Sequence, residues 1–159
     1  MGNPTNKVLC TVASGVLEGL AFIFALPAER MEDIDVESLM AAKVSFHGRF
    51  SGILIVAVSR EILPELAGNM VGMEMGGDVS EEQQQDALRE LINVICGNLL
   101  PAIAGKQEMF DIEVPEVLES ENIAGCTEGR TLTAAAKLEL DEGYVNLRLY
   151  CEGELPVSG

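Results

Sequence analysis

The sequence has no tryptophan, one histidine, two tyrosines and five phenylalanines, so aromatic residues make up only 4% of it. A core must therefore be built from Val, Ile, Leu, Ala and Met. The four cysteines (Cys10, Cys96, Cys126 and Cys151) are scattered without a C-x-x-C pair. A metal site needs clustered thiolate or imidazole ligands, and this spacing supplies none. Cys10 and Cys96 fall inside apolar helical patterns and Cys151 ends an alternating strand pattern, so reduced, mostly buried thiols in a cytoplasmic protein are expected. His47, beside Gly48 and Arg49, reads as a hairpin-end residue. It has no serine or cysteine partner in a catalytic motif.

Positive charge is scarce as well: 10 basic residues stand against 26 acidic ones, a formal net charge of -16. Such a surface repels phosphate backbones and anionic lipid, which argues against nucleic-acid and membrane-surface partners. It suits a partner with an exposed basic patch, and it serves solubility in any case. One long apolar run, Val8 to Leu26, approaches the length of a membrane span. Glu18 at its middle is costly in lipid, and Ser14, Gly15 and Gly19 weaken it further. Ala25-Leu26-Pro27-Ala28 fits a signal-peptide cleavage site poorly. The run reads as a buried helix.

What is present is a globular composition, 48% hydrophobic and 23% charged over 159 residues, enough for one domain spanning 1–159. No linker rich in Pro, Gly or Ser divides it. Asn6 to Leu26 is predicted as a first helix. Ser38 to His47 and Phe50 to Val58 flank Gly48-Arg49 as an antiparallel hairpin. Ser59 then caps a short helix, Glu61 to Val71, and Gly72 to Asp78 forms a turn. Ser80-Glu81-Glu82-Gln83 is a capping box opening a helix to about Gly105, with Pro101 bending its last turn. Phe110 to Val117 reads as an edge strand interrupted at Pro115. Arg130 to Leu140 and Tyr144 to Cys151 make a second hairpin. A long helix followed by a hairpin thus occurs twice, and the fold expected is α/β (α+β), a pseudo-twofold repeat with an antiparallel-rich sheet covered by two long helices.

On a wheel of about 100° per residue, Leu88, Leu91, Ile92, Ile95 and Leu99 of the second long helix gather on one side. Asp86, Glu90, Asn93 and Gly97 gather on the other. Glu90 and Asn93 are one turn apart, so their side chains are neighbours. An amide can accept a hydrogen bond from a water and donate one to a phosphoryl oxygen without being consumed, as the water-orienting glutamine of GTPases does. The carboxylate can grip a cationic group on a partner. An exposed helix face in an acidic protein also carries Asp, Glu and Asn for solubility alone. Asn93 and Gly97 are, however, poor helix formers on one exposed face, Gly costing about 1 kcal/mol relative to Ala. No nucleophile elbow and no GxxxxGK loop is present, and the Gly72 to Gly77 stretch is followed by acidic residues.

Asp86-x3-Glu90-x2-Asn93, followed by Gly97-Asn98, resembles the D/S-x3-E-x2-N signature of the CheC, CheX and FliY phosphatases. Leu88-Arg-Glu-Leu-Ile-Asn-Val-Ile-Cys-Gly-Asn is similar to the CheX form of that helix. The resemblance extends to the hairpin with Gly52-Ile-Leu-Ile-Val, the Met70-Val-Gly-Met turn, Phe110-Asp-Ile-Glu-Val-Pro-Glu-Val and the last hairpin. It implies a phosphatase that hydrolyses the aspartyl phosphate of a CheY-like response-regulator receiver domain in chemotaxis or another two-component pathway. By that resemblance the catalytic residues are Glu90, pairing with a receiver lysine, and Asn93, orienting the water. Asp86 and Gly97 would contact the partner. The chain would hold no cofactor of its own, the Mg²⁺ belonging to the receiver, and would form a homodimer. Two-site relatives carry Glu and Asn on both long helices. Here Ala21 stands where the first helix would need its amide, so that copy is expected to be inactive. The alternative is a non-catalytic receiver-binding or scaffold module.

Overall fold

A computed structural model describes residues 4–21, 23–27, 39–71, 80–105, 107, 109–118, 131–140 and 143–152. Helix α1 spans Pro4–Ala21, and a two-residue strand β1 (Leu26–Pro27) follows it. Strands β2 (Leu39–His47) and β3 (Ser51–Ser59) form the first hairpin. A 3-10 turn, Arg60–Ile62, leads into α2 (Leu63–Val71). Helix α3 spans Glu81–Ala104 and is followed by two short strands, β4 (Asp111–Ile112) and β5 (Glu116–Leu118). The second hairpin is β6 (Thr131–Glu139) with β7 (Tyr144–Glu152).

Among the described residues these strands form one antiparallel sheet in the order β1-β6-β7-β3-β2, with β4 and β5 both on the outer edge of β2. The two hairpins meet at β7 and β3. The short strand after each long helix crosses to the other half: β1 pairs with β6, and β4 and β5 pair with β2. That exchange is a twofold pattern, so the repeat expected from the sequence is a repeat of topology.

Both long helices lie on one face of the sheet. Leu9, Ala13 and Leu17 of α1 and Leu88, Leu91, Ile92, Ile95 and Leu99 of α3 are fully buried against Val44, Phe46, Leu54, Val56, Leu147 and Leu149. Each buried Leu, Ile, Val or Phe among them contributes about 1.5–3 kcal/mol of burial. By length and composition alone α3 could cross a membrane, but these apolar side chains are spent on the core. Strand β3 sits mid-sheet and is buried on both faces, Ile53, Ile55 and Ala57 joining a second apolar cluster with Leu39, Ala41 and Tyr150. That explains why Gly52 to Val58 reads as an unbroken apolar run rather than an alternation.

Two expectations need correction. Helix α1 stops at Ala21, not Leu26. The Asn69 side-chain amide donates to the Ala21 carbonyl (2.8 Å), and the Ile23 amide turns back to the Leu17 carbonyl (3.1 Å). Beyond it, Pro27 disfavours helix at Leu26, which pairs with Glu139 instead. Nor does Ser59 cap the following helix. Its hydroxyl oxygen accepts the Tyr144 amide (2.8 Å) and donates to the Tyr144 carbonyl (3.3 Å), tying β3 to the start of β7. A Cβ at Gly143 would lie 2.7 Å from the Ser59 Cβ, so this junction admits only glycine. The Gly72 to Asp78 turn and Cys126 lie outside the described residues.

Candidate active site on the outward face of helix α3

The helix that carries the candidate residues is fixed at its start by the capping box read from the sequence. The Gln83 amide donates to the Ser80 hydroxyl oxygen (3.1 Å), and the Ser80 amide donates to the Gln83 side chain (2.9 Å). At its other end Gly105, with φ of 99°, ends the helix in the left-handed region that other residues avoid, its amide donating to the Pro101 carbonyl (2.9 Å). Rotation about the axis is set by the buried Leu88, Leu91, Ile92, Ile95 and Leu99. With that side fixed inward, Asp86, Glu90, Asn93 and Gly97 must point outward, and all four are exposed.

Among the described residues neither Glu90 nor Asn93 has an intramolecular hydrogen-bond or ion-pair partner. Asn98, equally exposed, does not share that freedom, because its amide donates to the Val94 carbonyl of its own helix (2.8 Å). Asp86 is exposed too, and its carboxylate accepts the Arg89 guanidinium at 2.6 Å. A Cβ built on Gly97 would meet nothing within 4 Å, so packing within the chain does not require glycine there.

Asp86, Arg89, Glu90 and Asn93 form one wall of an open cleft of about 330 Å³. The opposite wall is Ile112, Glu113, Val114 and Pro115, the segment joining β4 to β5. The alternation over Phe110 to Val117 predicts an edge strand but does not place it beside the site, and the spacing that singles out Glu90 and Asn93 does not single out Arg89. The interruption at Pro115 was a signal for the wall. Nothing in the spacing alone gives the pairing of β4 and β5 with β2, which brings it beside α3. His47, exposed at the end of β2, lies 3.5 Å from the Glu113 carboxylate. Three carboxylates and one guanidinium line or border the cleft, a negative surface suited to a cationic group.

The described residues contain no group of three or more His, Cys, Asp or Glu placed to hold a metal ion. The described thiols, Cys10, Cys96 and Cys151, are all shifted away from ionisation. Burial, reinforced by nearby Cys151, pushes the Cys96 thiol up to about 12. Burial also raises Cys10 and Cys151. Cys10, Cys96 and Cys151 are all free. On the first long helix, Glu18 is exposed but Ala21 is fully buried. The first helix therefore presents no counterpart of Asn93 on its outward surface.

The arrangement can present a free amide and a free carboxylate, one turn apart, to another macromolecule. A family model described as the chemotaxis phosphatase CheX matches residues 40–133. Among solved structures, the chemotaxis protein CheX of Desulfovibrio desulfuricans is 16% identical with a TM-score of 0.71, covering 94% of this chain and 100% of its own. The CheX–CheY–BeF3–Mg²⁺ complex of Borrelia burgdorferi aligns at 18% identity and a TM-score of 0.69, covering 92% of this chain and 97% of the other. A CheC-like superfamily protein from Shewanella is 22% identical with a TM-score of 0.68, covering 96% and 100%. No match is found among curated proteins. At these identities the structural likenesses establish the fold.

Proposed function

The chain belongs to the CheX chemotaxis phosphatase family, and from that premise we propose that it dephosphorylates a CheY-like receiver domain with Asn93 orienting the attacking water and Glu90 anchoring the receiver. The observation that carries this reading is the pair of partnerless side chains on an outward face whose reverse side is locked into the core. A CheX relative has been crystallised with CheY, BeF3 and Mg²⁺, the kind of assembly this chain would enter.

In the proposed complex α3 lies across the receiver's phosphorylation site. The Glu90 carboxylate pairs with a receiver lysine and fixes the register. The Asn93 carbonyl oxygen accepts a hydrogen bond from a water, and its amide N–H donates to a phosphoryl oxygen. The water then attacks phosphorus in line with the bond to the aspartate oxygen. That bond breaks, leaving the receiver's carboxylate and inorganic phosphate. Catalysis of this kind is positioning and electrostatics, so a side chain that never reacts can carry it. Mg²⁺ would be held by the receiver, where it would neutralise charge on the phosphoryl oxygens, with no ligand supplied by this chain. The buried Ala21 leaves the first helix without a second site. Asp86, paired with Arg89 yet exposed, and Gly97 would contact the receiver beside Glu90. Two copies pairing as a homodimer, acting in the cytoplasm, complete the proposal by family resemblance.

The test is phosphate release from a phosphorylated receiver of the same organism, measured with and without the purified chain. Faster release supports the reading. Saturable binding of the receiver with unchanged release would instead make the chain a receiver-binding module.

A further inference from the structure

The far wall of the cleft is built by a break in register. Strand β4 pairs Ile112 with Phe46, and β5 pairs Glu116 with Lys43. Glu113, Val114 and Pro115 therefore span only two residues of β2, Val44 and Ser45. One residue is extra, which defines a β-bulge. The Glu113 amide still donates to the Ser45 carbonyl (2.9 Å), and Pro115 has no amide with which to continue the ladder. The excess is thrown outward at Val114, which is 83% exposed. Val114 lines the cleft that holds Arg89, Glu90 and Asn93, and also the adjoining hollow beside Lys43, Ser45 and Glu116.

Bulges beside active sites commonly re-aim a side chain. Protection of a sheet edge would account for the bulge and for Pro115, but a charged tip would protect better than an apolar one. The other flank of α3 offers a contrast. The groove between α1 and α3, lined by Thr11, Gly15, Gly19, Val94 and Asn98 among others, includes neither Glu90 nor Asn93. A receiver seated on the pair is therefore continuous with the bulge.

We propose that Val114 is an apolar contact for the receiver domain, packing on apolar surface that borders the phosphorylated aspartate and helping to set which receivers are accepted. The inference rests on the reading that Glu90 and Asn93 meet the receiver. It assigns Val114 to recognition and leaves the chemistry to Asn93.

Full-length Val114→Ser, Val114→Ile, Thr11→Arg and Asn93→Ala are compared with wild type in two measurements. One is kcat and KM for the phosphorylated receiver. The other is Kd for the same receiver loaded with beryllofluoride and Mg²⁺. Val114→Ser is expected to raise both KM and Kd about tenfold, the scale of one lost apolar contact, with kcat within about twofold of wild type. Val114→Ile restores wild-type values, and Thr11→Arg leaves them unchanged. If Val114→Ser changes neither constant while Asn93→Ala loses activity, the bulge is not a receiver contact and the catalytic reading stands. If Thr11→Arg weakens binding and Val114→Ser does not, the receiver lies on the other flank. Full activity in Asn93→Ala overturns the catalytic reading and this inference together.

Discussion

Asn93 and Asn98 lie on the same exposed stretch of one helix, yet only one of them has an amide to give. Asn98 spends its donor on the Val94 carbonyl, and Asn93 is unpaired among the described residues. The hydrogen-bond pattern separates them. Glu90 is distinguished from Asp86 in the same way, since Asp86 is already engaged by Arg89. Replacing Glu90 with lysine is expected to raise KM for the phosphorylated receiver at least tenfold, with a smaller effect on kcat, because it turns an attraction into a like-charge contact. Steady-state kinetics read the two apart, and a loss confined to kcat would contradict the anchoring role. A second prediction concerns Cys96. Its thiol is pushed up to about 12 by burial and by Cys151, whereas an unfolded thiol ionises near about 8.5. Below that pH both states hold the proton and stability is unaffected. Above it the unfolded chain ionises first, so stability falls as pH rises toward about 12. The decline in melting temperature between about pH 8.5 and 10.5 should be shallower in Cys96→Ala than in wild type, and parallel curves would refute this.

Helix α3 is the element most fully legible in the sequence, because each of its constraints is local. The capping box, the 3.6-residue apolar stripe and the closing glycine all act within a few residues, and all are realised. What was illegible depends on distant partners. The end of α1 is set by Asn69 and by pairing of Leu26 with β6, and Ser59 is drawn from its cap by Tyr144 on β7. The cleft wall is likewise a product of β4 and β5 meeting β2. Gly97 is where local cost and proposed role conflict most clearly. A Cβ there meets nothing, so Gly97→Ala is expected to stabilise the fold by about 1 kcal/mol, some 2–4 °C for a chain of this size. Receiver binding should weaken at the same time, if a partner's backbone approaches that face. Calorimetry and a binding titration check both; a gain in stability with no loss of binding would leave Gly97 without a role in recognition.

Across the whole molecule, the two halves share a topology and differ in chemistry. Each supplies a long helix and a hairpin, the first half lending one short strand (β1) to the other and the second half two (β4 and β5). Only the second helix carries a carboxylate and a free amide together on its outward face, since Ala21 is buried where the first would need an amide. The net charge of -16 favours a basic partner surface for the molecule as a whole. The shared fold reaches across nearly the whole chain and the family match covers residues 40–133, while the proposed chemistry narrows to one residue. The most direct measurement is phosphate release from a phosphorylated receiver by wild type and by Asn93→Ala, alongside the affinity of both for the beryllofluoride-loaded receiver. Loss of accelerated release in Asn93→Ala, by about a hundredfold or more, with melting temperature and affinity near wild type, is the predicted result. Release as fast as wild type from a folded Asn93→Ala would contradict the account.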